Sequence, residues 1–121
     1  MAYDPANVFA RILCGEIPCK KVYEDPHTLA FHDITPQAPV HVLVIPKGAY
    51  TDFDDFTARA SEQESAALFR AVAKVAEIMG LSGSGYRVLC NVGVNGGQEV
   101  PHVHLHVFGG RRLGHMLQPL E

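Results

Sequence analysis

The chain has 121 residues, 47% hydrophobic and 19% charged, with a net charge of −3. That length suits one compact domain spanning 1–121, and the scattered Lys and Arg exclude the basic stripe that a nucleic-acid polymer requires. No apolar run approaches the roughly 20 residues of a membrane-spanning helix. The start, Met1-Ala2-Tyr3-Asp4-Pro5, lacks the basic and apolar regions of a secretory signal. Cys14, Cys19 and Cys90 are odd in number and lack Cys-x-x-Cys spacing, so they read as reduced thiols of a cytoplasmic protein. Cys14 and Cys19 bracket Gly-Glu-Ile-Pro and would supply at most half of a zinc site.

In chain order, Asp4-Pro5 reads as a helix entry, with Val8, Phe9, Ile12 and Leu13 at helical spacing and Gly15 as the stop. Residues 21–24 and 28–33 predict two short strands around the turn Asp25-Pro26-His27. A proline loop, 36–39, leads into a strand over 40–45. Residues 51–56 read as an acidic, aromatic connection. Ser61-Glu62-Gln63-Glu64 is a capping box opening a helix whose core stripe is Leu68, Val72, Val75 and Met79, with Gly80 as its stop. A strand over 86–92, a glycine-rich loop over 94–99 and a last apolar strand follow. Residues 111–121 form a tail without pattern. These short connections favour hairpins over parallel crossovers. The expected fold is α+β: a mainly antiparallel five-stranded sheet with two helices on one face.

The last strand carries the chemistry. His102, His104 and His106 alternate with Val103, Leu105 and Val107. In a strand the imidazoles would share one face and the aliphatic residues the other. Such a row suits a zinc site or covalent catalysis by a histidine nucleophile. The preceding Asn95-Gly96-Gly97-Gln98 lets backbone N–H groups approach a phosphate, and Asn91 and Gln98 add neutral polar groups. The one carboxylate close by is Glu99. Those features favour catalysis over metal binding. His41, at the start of a strand, reads by itself as a hydrogen-bonded structural residue. Asp33 is a turn former, and also a suitable acceptor for a ribose diol.

His102-Val103-His104-Leu105-His106-Val107-Phe108 fits the signature of the histidine triad (HIT) superfamily, His-φ-His-φ-His-φφ with φ apolar. Further blocks resemble its nucleotide-binding Hint branch. They are Gly15-Glu16-Ile17-Pro18, Leu29 through Ile34, Pro36-Gln37-Ala38-Pro39, His41 through Pro46, and Gly96-Gly97-Gln98. The resemblance runs from about Val8 to Gly110.

It implies a homodimer whose two sheets join into one, cytoplasmic, with no cofactor and no metal. It also implies hydrolysis of purine nucleoside phosphoramidates, such as adenosine 5′-monophosphoramidate, and of aminoacyl-adenylates, releasing the nucleoside monophosphate. His104 would be the nucleophile, forming a nucleotidyl-histidine. His106 would contact the phosphate and assist the leaving group, and His102 and His41 would support the others. Asp33 would hold the ribose. Asn91, Gly97, Gln98 and Glu99 would lie along the phosphate, and Phe9, Ile12, Ile17, Phe31, His32, Ile34 and Leu43 around the base. The same resemblance admits dinucleoside polyphosphate hydrolysis, nucleotidyl transfer, or nucleotide binding with little turnover. The chain departs from many relatives at Glu99, where they place Ser, and at Pro101, where some have an aromatic residue.

Overall fold

The computed structural model describes residues 2–120; Met1 and Glu121, the ends of the expected 1–121 domain, lie outside the described residues. Asn7 caps a short helix α1, Val8–Leu13, by accepting from the Ala10 N–H. The helix therefore starts three residues after the expected Asp4-Pro5 entry. Asp4 instead accepts the Ala6 N–H and makes a turn. Strands β1 (Lys21–Glu24), β2 (Thr28–His32) and β3 (Val40–Pro46) follow.

The stretch over 51–56 is not the expected connection. Asp52 accepts the Asp55 N–H and nucleates helix α2, Phe53–Arg59, with Asp54 and Asp55 at its positive end and Arg59 at its negative end. Among the described residues there are thus three helices rather than two. The reciprocal box between Ser61 and Glu64 opens α3, Glu62–Ile78, as the sequence predicts. Its inner face buries Leu68, Ala71, Val72, Val75 and Ala76.

Strand β4 spans only Arg87–Leu89, and β5 spans Leu105–Gly109. All pairings are antiparallel, in the spatial order β1-β2-β3-β5-β4. The five-stranded antiparallel sheet is therefore as expected. Its two faces differ. Ala30, Val42, Val44, Leu105 and Val107 pack against α3. The other face carries a second apolar cluster of Phe9, Leu29, Phe31, Leu43 and Ile45. His41 and His106 stand on this second face, because strand residues two apart share a side. Among the described residues no helix is long and apolar enough to cross a membrane.

Candidate active site

The histidine row is only partly a strand. His102, Val103 and His104 precede β5, and Pro101 before them has no N–H to give to a ladder. The Val103 N–H bonds the Tyr50 carbonyl instead. This detour sends the three rings to different places. His102 is wholly buried, His104 is 5% exposed, and His106 is half-buried on β5.

Each ring's tautomer follows from its partners. A carbonyl can only accept, so the contact of His104 Nδ1 with the His102 carbonyl, 2.8 Å, places the hydrogen on Nδ1. Nε2 of His104 is left with a free lone pair. His102 Nε2 donates to the Pro46 carbonyl at 2.8 Å. The Gln37 N–H donates to His41 Nδ1 at 3.1 Å, so Nε2 of His41 carries the hydrogen. That hydrogen points to His106 Nδ1 at 2.9 Å, with an Asp33 carboxylate oxygen 3.5 Å from the same His41 atom. His106 accepts at Nδ1, so its donor is Nε2.

Burial opposes charge on all four imidazoles. It lowers His102 to about 4; the Pro46 carbonyl works the other way. It also lowers His106 to about 4, helped by the neighbouring His104 and His41. His41 and His104 are lowered by burial as well, against the opposing pull of Asp33 on both and of Glu99 on His104. At pH 7 the four rings are neutral, so the lone pair of His104 is available.

Asp33, His41 and His106 bring three ligand-type atoms within 4.8 Å of one another. The Gln37 N–H, however, occupies Nδ1 of His41 and keeps the hydrogen on Nε2, the atom that would have to ligate. In this tautomer the trio forms a hydrogen-bonded chain from Asp33 through His41 to His106. Cys14, Cys19 and Cys90 are all free thiols.

The remaining sequence-predicted residues divide. A cavity of about 720 Å³ opens beside Asp33 and His41; it is lined by Pro18, Cys19, Lys20, His32, Ile34, Pro36 and Pro39 as well. Phe9, Phe31 and Leu43 form the packed apolar layer, with Ile12 against it. Ile17, in the turn after α1, is not among them. Gln98 is fully engaged: its amide nitrogen donates to the carbonyls of Thr51 and Val100, and its oxygen accepts the Gly93 N–H. It pins the glycine loop and has no hydrogen left for a phosphate. Asn91 closes the same loop by donating to the Gly96 carbonyl at 2.7 Å, and β4 ends at Leu89, short of the expected Val92. A Cβ at Gly96 would meet the Val92 carbonyl oxygen at 2.3 Å, and Gly97 sits at φ 74°.

Phe9, expected on the base side, also touches the triad, and Phe108 and Tyr3 join the site without having been candidate residues. The Phe9 ring meets His104 edge-on at 4.9 Å. Phe108 stacks on His106 and lies 4.2 Å from the His41 ring. Its period-two spacing from His106 was the available signal. Tyr3 reaches His102 across 99 residues of sequence, for which no local signal exists.

A family model described as the HIT domain matches residues 14–113. The chain belongs to the HIT family. It is 68% identical over 115 residues to an uncharacterized 13.2 kDa HIT-like protein of Azospirillum brasilense, covering 95% of this chain and 94% of the relative. It is 44% identical over 111 residues to the purine nucleoside phosphoramidase of Escherichia coli strain K12, covering 92% of each. A solved HIT family hydrolase from Legionella pneumophila superposes with a TM-score of 0.79 at 44% identity, over 88% of this chain and 95% of that one. Hydrolysis is thus the activity in the names of two of these three HIT relatives.

Proposed function

We propose that this HIT protein hydrolyses purine nucleoside phosphoramidates and aminoacyl-adenylates through a nucleotidyl-histidine on His104. The observation that carries the reading is the bond from His104 Nδ1 to the His102 carbonyl, 2.8 Å, which leaves Nε2 a buried, neutral nucleophile. The phosphoramidase name of the Escherichia coli relative supports the substrate class.

In the first step His104 Nε2 attacks phosphorus. A P–Nε2 bond forms, the bond to the amine breaks, and its electron pair stays on the leaving nitrogen. That nitrogen needs a proton. A bound phosphoryl anion beside His106 favours the charged imidazolium, so substrate binding loads one proton onto the His41–His106 pair. His106 Nε2 gives that proton to the amine. The positive charge of the phosphorylated His104 ring is met by the His102 carbonyl on Nδ1. In the second step His106 takes a proton from water as its oxygen attacks phosphorus. The P–Nε2 bond breaks, and the monophosphate leaves. Two moderate displacements replace one difficult displacement.

The cavity beside Asp33 is the place for the nucleoside, with Asp33 toward the ribose and His32 and Ile34 at its rim. Phe9, Ile12, Ile17, Phe31 and Leu43 back the base side. Asn91, Gly97 and Glu99 lie toward the phosphate, and Gln98 shapes that loop. Strand β4 pairs only with β5 and exposes Val88, an open edge suited to a second copy of the chain. The working form proposed here is therefore a homodimer with a continued sheet.

The test is intact-mass spectrometry after rapid quench with an adenosine phosphoramidate, in chelator, on wild type and His104→Ala. A nucleotidyl mass gain in wild type alone is expected, and His104→Ala should lose several orders of magnitude in turnover while remaining folded. A variant keeping a tenth of the wild-type rate would overturn the assignment.

A further inference from the structure

Ahead of α1, the described N-terminal residues reach the site through one contact. The Tyr3 hydroxyl lies 2.7 Å from His102 Nδ1, and the two rings meet edge-on at 5.6 Å. Nε2 of His102 is committed to the Pro46 carbonyl, so Nδ1 of the neutral ring is an acceptor and the Tyr3 hydroxyl is its donor. His102 is 0% exposed. Without Tyr3, that nitrogen would be a buried acceptor with no partner among the described residues. The same residue presents its backbone carbonyl to His104 Nδ1. A chain of three contacts therefore links the tyrosine hydroxyl, the His102 ring clamped between Tyr3 and Pro46, and the His102 carbonyl that orients His104.

We propose that Tyr3 is a positioning residue of this enzyme: by clamping the His102 ring it fixes the carbonyl that sets the tautomer and aim of His104. The assignment rests on His104 as the nucleophile. Several features give it force. Both ring nitrogens of His102 are saturated, so its ring has a single orientation. The backbone around His102 is otherwise irregular: besides the carbonyl's bond to His104, its own N–H bonds the Val100 carbonyl and the next N–H, of Val103, bonds the Tyr50 carbonyl. The ring contacts thus supply rigidity that a regular strand ladder would have provided. Phe9, on the same N-terminal segment, packs edge-on against both His102 and His104. Tyr3 and α1 together form a cap over the first two triad rings.

The deciding experiment compares Tyr3→Phe with wild type. The ring and its edge contact stay, and only the hydroxyl goes. Loss of one hydrogen bond that acts on the transition state predicts a fall in kcat of about three- to tenfold with KM unchanged. In a His102→Gln background, Tyr3→Phe should cost nothing further, because the route through the imidazole has already gone. A readout independent of turnover is the nitrogen-15 tautomer pattern of the histidines. His104 should be a locked Nδ1–H form in wild type and an averaged pair of tautomers in Tyr3→Phe. An unchanged tautomer pattern together with unchanged kcat overturns the proposal. A rise in KM alone overturns it by making Tyr3 a substrate contact, and an undiminished cost in the His102→Gln background overturns the route. If wild type has no phosphoramidase activity, the proposed reaction fails, and the tautomer comparison still decides whether Tyr3 positions His104.

Discussion

At the scale of single residues, the proposed nucleophile is set up by atoms that no motif names. The signature marks three histidines, but the tautomer and neutral state of His104 come from a backbone carbonyl on one nitrogen and burial around the ring. Glu99 stands where the family resemblance leads one to expect a serine. Its carboxylate is exposed, and its charge acts on His104. A phosphate approaching His104 must come toward that negative charge. Replacing it by the isosteric Glu99→Gln is expected to tighten inhibition by a nucleoside monophosphate about two- to fivefold at low salt. The difference should close as ionic strength rises and the Debye length shrinks to about 3 Å near 1 M. Inhibition constants measured at two salt concentrations check this; equal values for both proteins at low salt would show that the charge of Glu99 does not reach the bound phosphate. Replacing Asp33 by Asn acts on the other end of the relay. Its charge favours protonated His41 and His106, so Asp33→Asn should shift the alkaline limb of kcat, where the pair loses its proton, to lower pH, read from a pH–rate profile.

At the scale of elements, local signals were enough wherever one element obeyed one period. The capping box at Ser61 and the stripe along α3 were legible, as were β1, β2 and β3 to within a residue. What was not legible depended on partners distant in sequence. Alternation implies one strand through 102–108, but Pro101 and the Tyr50 carbonyl turn the chain before β5 begins. As a result the three histidines stand in different settings, and in the proposed reaction His102 clamps, His104 attacks and His106 relays. Helix α2 escaped notice because seven residues with two aspartates in the first turn read as an acidic loop, although Asp52 is a good cap. The bonding of Gln98 was hidden for a related reason. Its type suits a ligand contact, and only its three bonds show that it holds the glycine loop to Thr51 and Val100. Removing those bonds in Gln98→Ala should therefore act through loop geometry, lowering kcat/KM about ten- to a hundredfold. The melting temperature should fall by only about 5 °C for each 1 kcal/mol lost. Steady-state kinetics paired with calorimetry test it, and normal kinetics in a destabilised protein would make the amide purely structural.

At the scale of the whole molecule, one pH window separates the histidine site from the surface charges. His102 and His106 are held near 4 in the fold, against about 6.5 in an unfolded chain. Between those values the unfolded state binds protons that the native state refuses, so ∂ΔG/∂pH of unfolding is positive there. Stability is at its full value above about pH 6.5 and is lost as pH falls toward 4. Burial pushes His41 and His104 the same way. Two such groups give a slope of at most about 2–3 kcal/mol per pH unit near pH 5. The carboxylates act lower down. Glu24, bonded to Lys47 and Lys21, is held at about 2, and the Arg59 guanidinium holds Asp55 well below the usual range. Their contributions are present above the ordinary carboxylate pKa and vanish only below it. Urea unfolding at pH 7, 6 and 5 should thus show a falling midpoint before any carboxylate titrates. The slope should be shallower in His102→Gln, which removes one of the buried imidazoles. A midpoint that stays level from pH 7 to 5 would mean that water reaches these rings in the native state. The neutral lone pair on which His104 depends would then have to be held by hydrogen bonding alone.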